Sequence, residues 1–430
     1  MFPAPYDALP LPPRPNVEQY KKLAKDLVKA CRSADSSAMR AWAGRCIESL
    51  LKECRPMIPP GRPIQPERWP AQIEQFARGR LAADRSKRCV LADAQFVLAR
   101  LHGFETWPDF TRHIDELKRE TSTTSSFEAA ADAMVNGDTN TLLTYVLADP
   151  ELVRARSSRE HSGTLLHYVA ANGVENWRQR TPQNVVEVAA ALLDHGAEVD
   201  ATAQMYGGDC TTLGLAATSV HPERAGVQIP LLQLLLDRGA RVDRPGSAGG
   251  RHSLIKACFA NGRGQAAEFL SHRVARLDLE EAAGTGNFEV VRSFINDDGR
   301  LKPSATQEEL CRGFLWACQF GRNRVVEYLL APGFDLRAQD RSGQTALHHA
   351  VIGARLETVA LLLRHHAPLE AKNNYGGTVL GQAVWCALNS DSAGPYLPVI
   401  ELLLQAGAKI EPGMEDVLAR LMRREPGKAR

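Results

Sequence analysis

Adjacent histidines are where a metal site would be sought first, and this sequence has two such pairs, His348-His349 and His365-His366. Neighbours on a helix point in different directions, so a single pair chelates poorly. No carboxylate cluster stands near either pair to complete a ligand set, and the expectation is no metal. Gly284-Thr-Gly286-Asn-Phe-Glu289 echoes a phosphate loop but lacks a third glycine and a preceding strand. No Gly-x-Ser-x-Gly occurs, and none of the nine cysteines has an evident histidine partner. The expectation is a non-enzyme without cofactor. Cys258, Cys318 and Cys386 stand beside Ala or Trp in apolar runs, as buried free thiols do. There is no Cys-x-x-Cys, so neither a zinc nor a disulfide framework is expected. These cysteines, a Pro-rich start unlike a secretory signal, and the lack of about 18 consecutive apolar residues point to a reducing cytoplasm and no membrane span.

Charge singles out one further stretch. Residues 1–125 carry 21 Lys+Arg against 15 Asp+Glu, although the whole chain is only +2. Within them Arg78, Arg80, Arg85, Lys87 and Arg88 form a basic run. A solvated loop explains that run more simply than a phosphate-binding patch, so nucleic acid is not expected as a partner.

The elements that would position any site come from internal self-similarity. The clearest unit is Asp340-Arg-Ser-Gly343-Gln-Thr345-Ala-Leu347-His348-His-Ala350, continuing to Val359, Leu362-Leu363 and Ala367. Thirty-three residues after Thr345 stands Thr378, with Leu380 and Ala383; thirty-three before it stands Arg312, with Phe314 and Ala317. The wording recurs at Thr164-Leu-Leu166-His167, Thr211-Thr-Leu213, His252-Ser-Leu254 and Leu277-Asp-Leu279, and weakly near Phe127 with Gly137 as the turn glycine. Unit ends repeat as Gly196-Ala197, Gly239-Ala240 and Gly407-Ala408. Threonine caps a first helix. Leu and Ala at helical spacing face the next unit. Glycine ends the second helix in a left-handed turn. Ala354 stands in place of the turn glycine between the two helices, and His366 in place of the glycine that ends the second.

This pattern resembles the ankyrin repeat, whose consensus centres on Thr-Pro-Leu-His-x-Ala with a period near 33. The resemblance covers about 127–411. It implies a mainly α fold, an ankyrin-repeat solenoid of about eight irregular repeats built from paired helices with short β-hairpin loops. It implies a structural role for His167 and His348, bonding across to the next repeat. It also implies a protein-protein interaction scaffold. The spacing departs from the period in places: Thr164 to Thr211 is 47 residues and Thr211 to His252 is 41. The surplus lies at 175–182 and 220–230, with a third insertion at 389–398. All three should fall between the two helices of a unit, on an edge used for binding. His252 to Leu277 is only 25, which predicts a lost hairpin and a weak point in the stack.

In front, residues 1–16 read as an extended Pro-rich start and 17–120 as a small helical domain. Helical spacing runs over 17–34, 38–54, 71–80 and 91–101, with a Pro/Gly-rich break at 56–70. Gly103-Phe104-Glu-Thr-Trp107-Pro108 then leads into a helix to about 120. These segments resemble the front of a group of bacterial ankyrin proteins, and mechanically they could cap the first repeat. Residues 412–430 read as a closing helix and tail.

Binding residues should be those the repeat core does not need. After the consensus histidine the register places Trp316, His349 and Gln382, and one turn on Gln319, Ile352 and Trp385, on an exposed concave surface. Hairpin tips should add Arg341, Asn374 and Tyr375, with Tyr206 in an earlier repeat. Aromatic and Arg residues are what hot spots use. The expectation is a monomeric cytoplasmic scaffold that binds another protein. The rival is a nucleic-acid-associated or effector protein whose activity lies in the basic N-terminal domain.

Overall fold

Local capping chemistry sets the helix starts. Asn16 accepts the Glu18 N–H at 2.9 Å, which opens α1 (Val17–Arg32). Its buried stripe of Tyr20, Ala24, Leu27 and Val28 packs with α2 (Ala38–Cys54) and α4 (Leu91–Leu101), on both of which α3 (Trp69–Leu81) rests. Trp42, Ile47, Ile73, Val97 and Leu98 fill the shared core. Thr106 caps α5 (Trp107–Leu117), with Pro108 in the first turn, where its missing N–H costs nothing. The computed structural model describes residues 2–4, 7–54, 68–81, 89–244, 247–249, 252–331, 334–390 and 392–423. Most of the expected break at 56–70 therefore lies outside the described residues, as do Arg85, Lys87 and Arg88. The chain divides into two compact units, Met1–Ala257 and Cys258–Arg430.

The first unit joins these helices to helix pairs. The pairs are α6 (Thr123–Val135) with α7 (Thr139–Ala148), and α8 (Leu165–Tyr168) with α9 (Val185–Asp194). Strands β1 (Thr202–Met205) and β2 (Gly208–Thr211) form an antiparallel hairpin, pairing Thr202 with Thr211 and Met205 with Gly208. Then come α10 (Thr212–Thr218), α11 (Val220–Arg224) and α12 (Gln228–Asp237). Helix α13 (Leu254–Ala260) crosses the division between the units.

The second unit holds α14 (Gly264–Ser271), α15 (Leu279–Thr285) with α16 (Phe288–Ser293), and α17 (Gln307–Phe320) with α18 (Asn323–Leu330). It continues with α19 (Ala346–Ile352) and α20 (Leu356–Arg364), α21 (Val379–Asn389) and α22 (Leu397–Gln405), and closes on α23 (Glu415–Met422). The expected core positions Phe314, Ala317, Leu347, Ala350, Leu380 and Ala383 are all buried. Ala354 and His366 adopt the left-handed backbone of the glycines they replace, at φ 52° and 59°.

Four expectations need correction. The repeat at 312 does not begin at Arg312. Thr306 and Glu309 form a capping box six residues earlier, so α17 is longer than the seven-residue α19. The cysteines are not all free: Cys31 and Cys89 form a disulfide, their Cα atoms 6.5 Å apart. Sequence spacing hides this pair, because it follows from α1 packing on α4. The Pro-rich start is not merely extended; Leu9 and Leu11 are buried, and the Leu9 N–H donates to Leu101 O at 2.7 Å.

The fourth concerns the first insertion. It lies between α8 and α9 as expected, yet Glu175, Trp177 and Arg178 are buried rather than presented on an edge. There Arg178 pairs with Glu128 at 2.8 Å and Asp132 at 2.7 Å, while Glu175 accepts from Arg159 at 3.1 Å and from the Tyr168 hydroxyl at 3.3 Å. A charge buried without a partner would cost several kcal/mol. Arg159 and Glu128 also pair with each other, and the insertion works as a plug that completes this buried network with a second carboxylate for Arg159 and a second guanidinium for Glu128.

Candidate protein-interaction surface

The sequence marked Trp316 as an exposed anchor, and its surroundings hold it firmly. Its indole lies between Phe259 and Phe320, with ring centroids 5.7 and 6.2 Å away. Its Nε1–H donates to Glu280 Oε1 at 3.0 Å, and His349 meets it edge-on at 5.6 Å. Only part of the ring reaches solvent. Gly284 permits this packing, because a Cβ there would stand 2.5 Å from Phe259.

His349 and Gln319 were expected on the exposed surface and are buried instead. His349 Nδ1 lies 2.9 Å from Gln319 Oε1, and Nε2 lies 3.1 Å from Asp340 Oδ2. Asp340 also accepts the N–H groups of Ser342 and Gln344 at 2.8 and 2.9 Å, which shapes the 340–344 tip. Burial disfavours the Asp340 carboxylate, but the hydrogen bonds from His349 and Gln344 outweigh it, and its pKa falls below the ordinary carboxylate range. His349 and Gln319 thus fix the tip to the helix layer. Side-chain position along the repeat does not predict this, because the tip folds over the column it was expected to leave open.

Between α17 and that tip lies a cleft of about 290 Å³. Leu315 and Trp316 give it an apolar wall, while Glu308, Arg312, Asp340 and Arg341 supply charge. Arg312 bridges Glu308 at 3.1 Å and Glu280 at 3.4 Å. Arg341 is 95% exposed and only 4.0 Å from Glu308, so it is the charge most available to a partner. Cys311 lines the cleft too, but burial, with Asp340, Asp335 and Glu308 adding, raises its thiol pKa. That makes it a poor nucleophile.

The next tip carries Asn374 and Tyr375. Asn374 is tied to its neighbour, its backbone N–H donating to Ser342 O and its amide to Arg341 O, both at 2.9 Å. Gly343 allows this approach, since a Cβ there would meet Asn374 Oδ1 at 2.5 Å. Tyr375 is 85% exposed and Trp385 60%. Leu388, one turn beyond Trp385 on α21, is 54% exposed; the three-residue spacing could have revealed it. Gln382 and Ile352 are half-buried. Gln382 contacts Asn373 and Cys386, and the Ile352 carbonyl accepts from the Tyr396 hydroxyl of the third insertion at 3.2 Å. Tyr206 belongs to the other unit, on the turn of the β1–β2 hairpin, with its hydroxyl 2.6 Å from Asn172 Oδ1.

His348 behaves as the resemblance implies. The Thr345 N–H donates to its Nδ1 at 3.3 Å, and its Nε2 reaches Gly377 O in the following repeat at 3.4 Å. This is where comparison with known families speaks. Residues 314–413 are ankyrin repeats, matching that family over three copies. The match begins inside α17 and runs through α22, so it takes in both tips and the Leu315–Trp316 wall of the cleft. Ankyrin repeats are generally protein-protein interaction modules and typically not enzymes. No curated protein matches the chain. Among the described residues no helix is long and apolar enough to cross a membrane. In the basic run, Arg78 pairs with Glu74 and Arg80 with Asp93, so its described part is already neutralised.

Proposed function

We propose that this protein binds another protein through the face of its ankyrin repeats that carries Tyr375, Trp385 and Leu388, with Arg341 and the neighbouring cleft as adjoining contacts. The observation that carries this reading is large apolar side chains left in solvent beside well-packed ones. Trp385 and Tyr375 are exposed, whereas Trp316, in the column one turn before that of Trp385, is wedged and hydrogen-bonded. Aromatic and Arg side chains at such positions dominate binding energy, commonly at 2 kcal/mol or more each. In this reading the protein acts as a monomer in the cytoplasm. Seven of the nine cysteines are free, which suits a reducing compartment, whereas the Cys31–Cys89 disulfide does not.

Affinity capture by the full chain from its source cell, followed by mass spectrometry, tests the proposal. A partner retained by the native protein should be lost when Tyr375→Ala and Trp385→Ala are combined. Undiminished capture by the folded double variant removes this face from consideration.

A further inference from the structure

The Gly103-Phe104-Glu-Thr-Trp107-Pro108 stretch has a structural counterpart that the interaction surface does not use. The tip of an early repeat, Arg156 to Gly163, lies against it. The Glu160 N–H donates to Gly103 O at 2.8 Å, and Arg100 pairs with the Glu160 carboxylate at 2.7 Å. The Arg159 guanidinium sits 5.7 Å from the Phe104 ring. Gly103 has φ 83°, and a Cβ there would stand 3.1 Å from Ala8. At the centre is His113 of α5, 1% exposed, its ring 4.9 Å from Phe104 and its Nδ1 2.7 Å from Ser158 Oγ of the tip. His113 Nε2 has no hydrogen-bond partner.

We propose that this contact is an acid-released latch: near neutral pH it holds α5 on the repeat tip, and in mild acid His113 takes up a proton that the docked site disfavours, so α5 and the tip part. The charged groups facing His113 are Arg159 on the tip, Glu128 on α6, and Glu175 and Arg178 on the insertion. Burial is the main reason the docked imidazole stays neutral, with Arg159 adding; Glu128 and Glu175 offset part, and its pKa falls to about 4. An imidazole released to water returns to roughly 6.5. Ser158, hydrogen-bonded to Nδ1, is exposed and gives the proton a route in. The carboxylates cannot act as the trigger, since Glu128 is held down to about 2 and Glu175 well below its ordinary value. The two His113 values imply that the docked-to-released ratio falls about 20-fold between pH 7 and pH 5.

Hydrogen exchange on the full chain from pH 7 to pH 5, corrected for the intrinsic rate at each pH, reads this out. Protection of segments 107–117 and 156–163 should drop by about that factor while 346–364 holds. In His113→Gln, which keeps an uncharged hydrogen-bonding group beside Ser158, the drop should shrink to less than about threefold. Latch protection that ignores pH, falls equally in His113→Gln, or falls together with 346–364 overturns the proposal. Should His113→Gln not fold, the NMR titration of His113 in the native chain decides: a pKa near 4 supports the latch, and a value of 6 or more overturns it.

Discussion

At the scale of residues, the glycine positions separate backbone demands from packing demands. Ala354 and His366 hold left-handed backbones without the freedom of glycine. Each such L-residue costs about 1 kcal/mol, so Ala354→Gly and His366→Gly should each raise the urea midpoint of the repeat unit slightly. Gly353, beside Ala354, demands the reverse: a Cβ there would stand 1.9 Å from Gln319 O. Gly353→Ala should lower stability by about 1–3 kcal/mol, because backbone must move to admit it. An unchanged midpoint in Gly353→Ala would contradict the packing described. The first two positions were legible in the sequence, because each breaks the repeat's own glycine register. Gly353 was not, since it needs glycine for a neighbour thirty-four residues away rather than for its own φ. Likewise His349 and Gln319 could be assigned to helices from the sequence. Their burial could not, because it depends on where the Asp340 tip comes to rest.

At the scale of elements, helix periodicity transferred well, and one helix start was displaced by a cap outside the repeat register. The 38–54 and 91–101 segments fold as expected, their apolar stripes turned to the core. Helix α17 starts earlier than the repeat alignment indicates, because Thr306 and Glu309 satisfy orphan N–H groups reciprocally. Thr306→Ala should cost about 1 kcal/mol and fray residues 307–311 first, which amide exchange would localise. Protection at 307–311 equal to the native chain would mean that packing on α15, not the cap, sets the start. The insertions illustrate the limit of counting. Spacing places all three between the helices of a unit, but spacing cannot say whether surplus chain points outward or inward. Glu175 and Arg178 turn inward onto the Arg159–Glu128 pair, where each meets opposite charge. Replacing 175–182 by a short Gly/Ser turn strips the buried Arg159–Glu128 pair of its further partners and should cost about 1–3 kcal/mol. A chain so shortened that keeps its native urea midpoint would refute the role of plug.

At the scale of the molecule, the chain divides at 257/258, inside the stretch where the sequence spacing is shortest. The two units differ in how they meet acid. In the first unit His102, His113 and His167 are buried and neutral, each with its pKa lowered to about 4, chiefly by burial. In the unfolded chain each returns to about 6.5 and binds a proton that the folded chain refuses. Stability therefore rises with pH across this window and is lost progressively as pH falls from about 6.5 toward 4, by roughly 2 kcal/mol per histidine at pH 5. The buried carboxylates follow a later schedule. Glu128, held at about 2, contributes stability that is complete above its ordinary value and disappears only as pH falls through 2. Urea titrations of the full chain at pH 7, 6 and 5 should accordingly show the midpoint of the first unit moving down while carboxylates remain ionised. The second unit, where His348 is lowered less severely, should move less. A midpoint flat from pH 7 to 5, with loss only below pH 4, would assign the acid response to the carboxylates and remove the buried histidines as its cause.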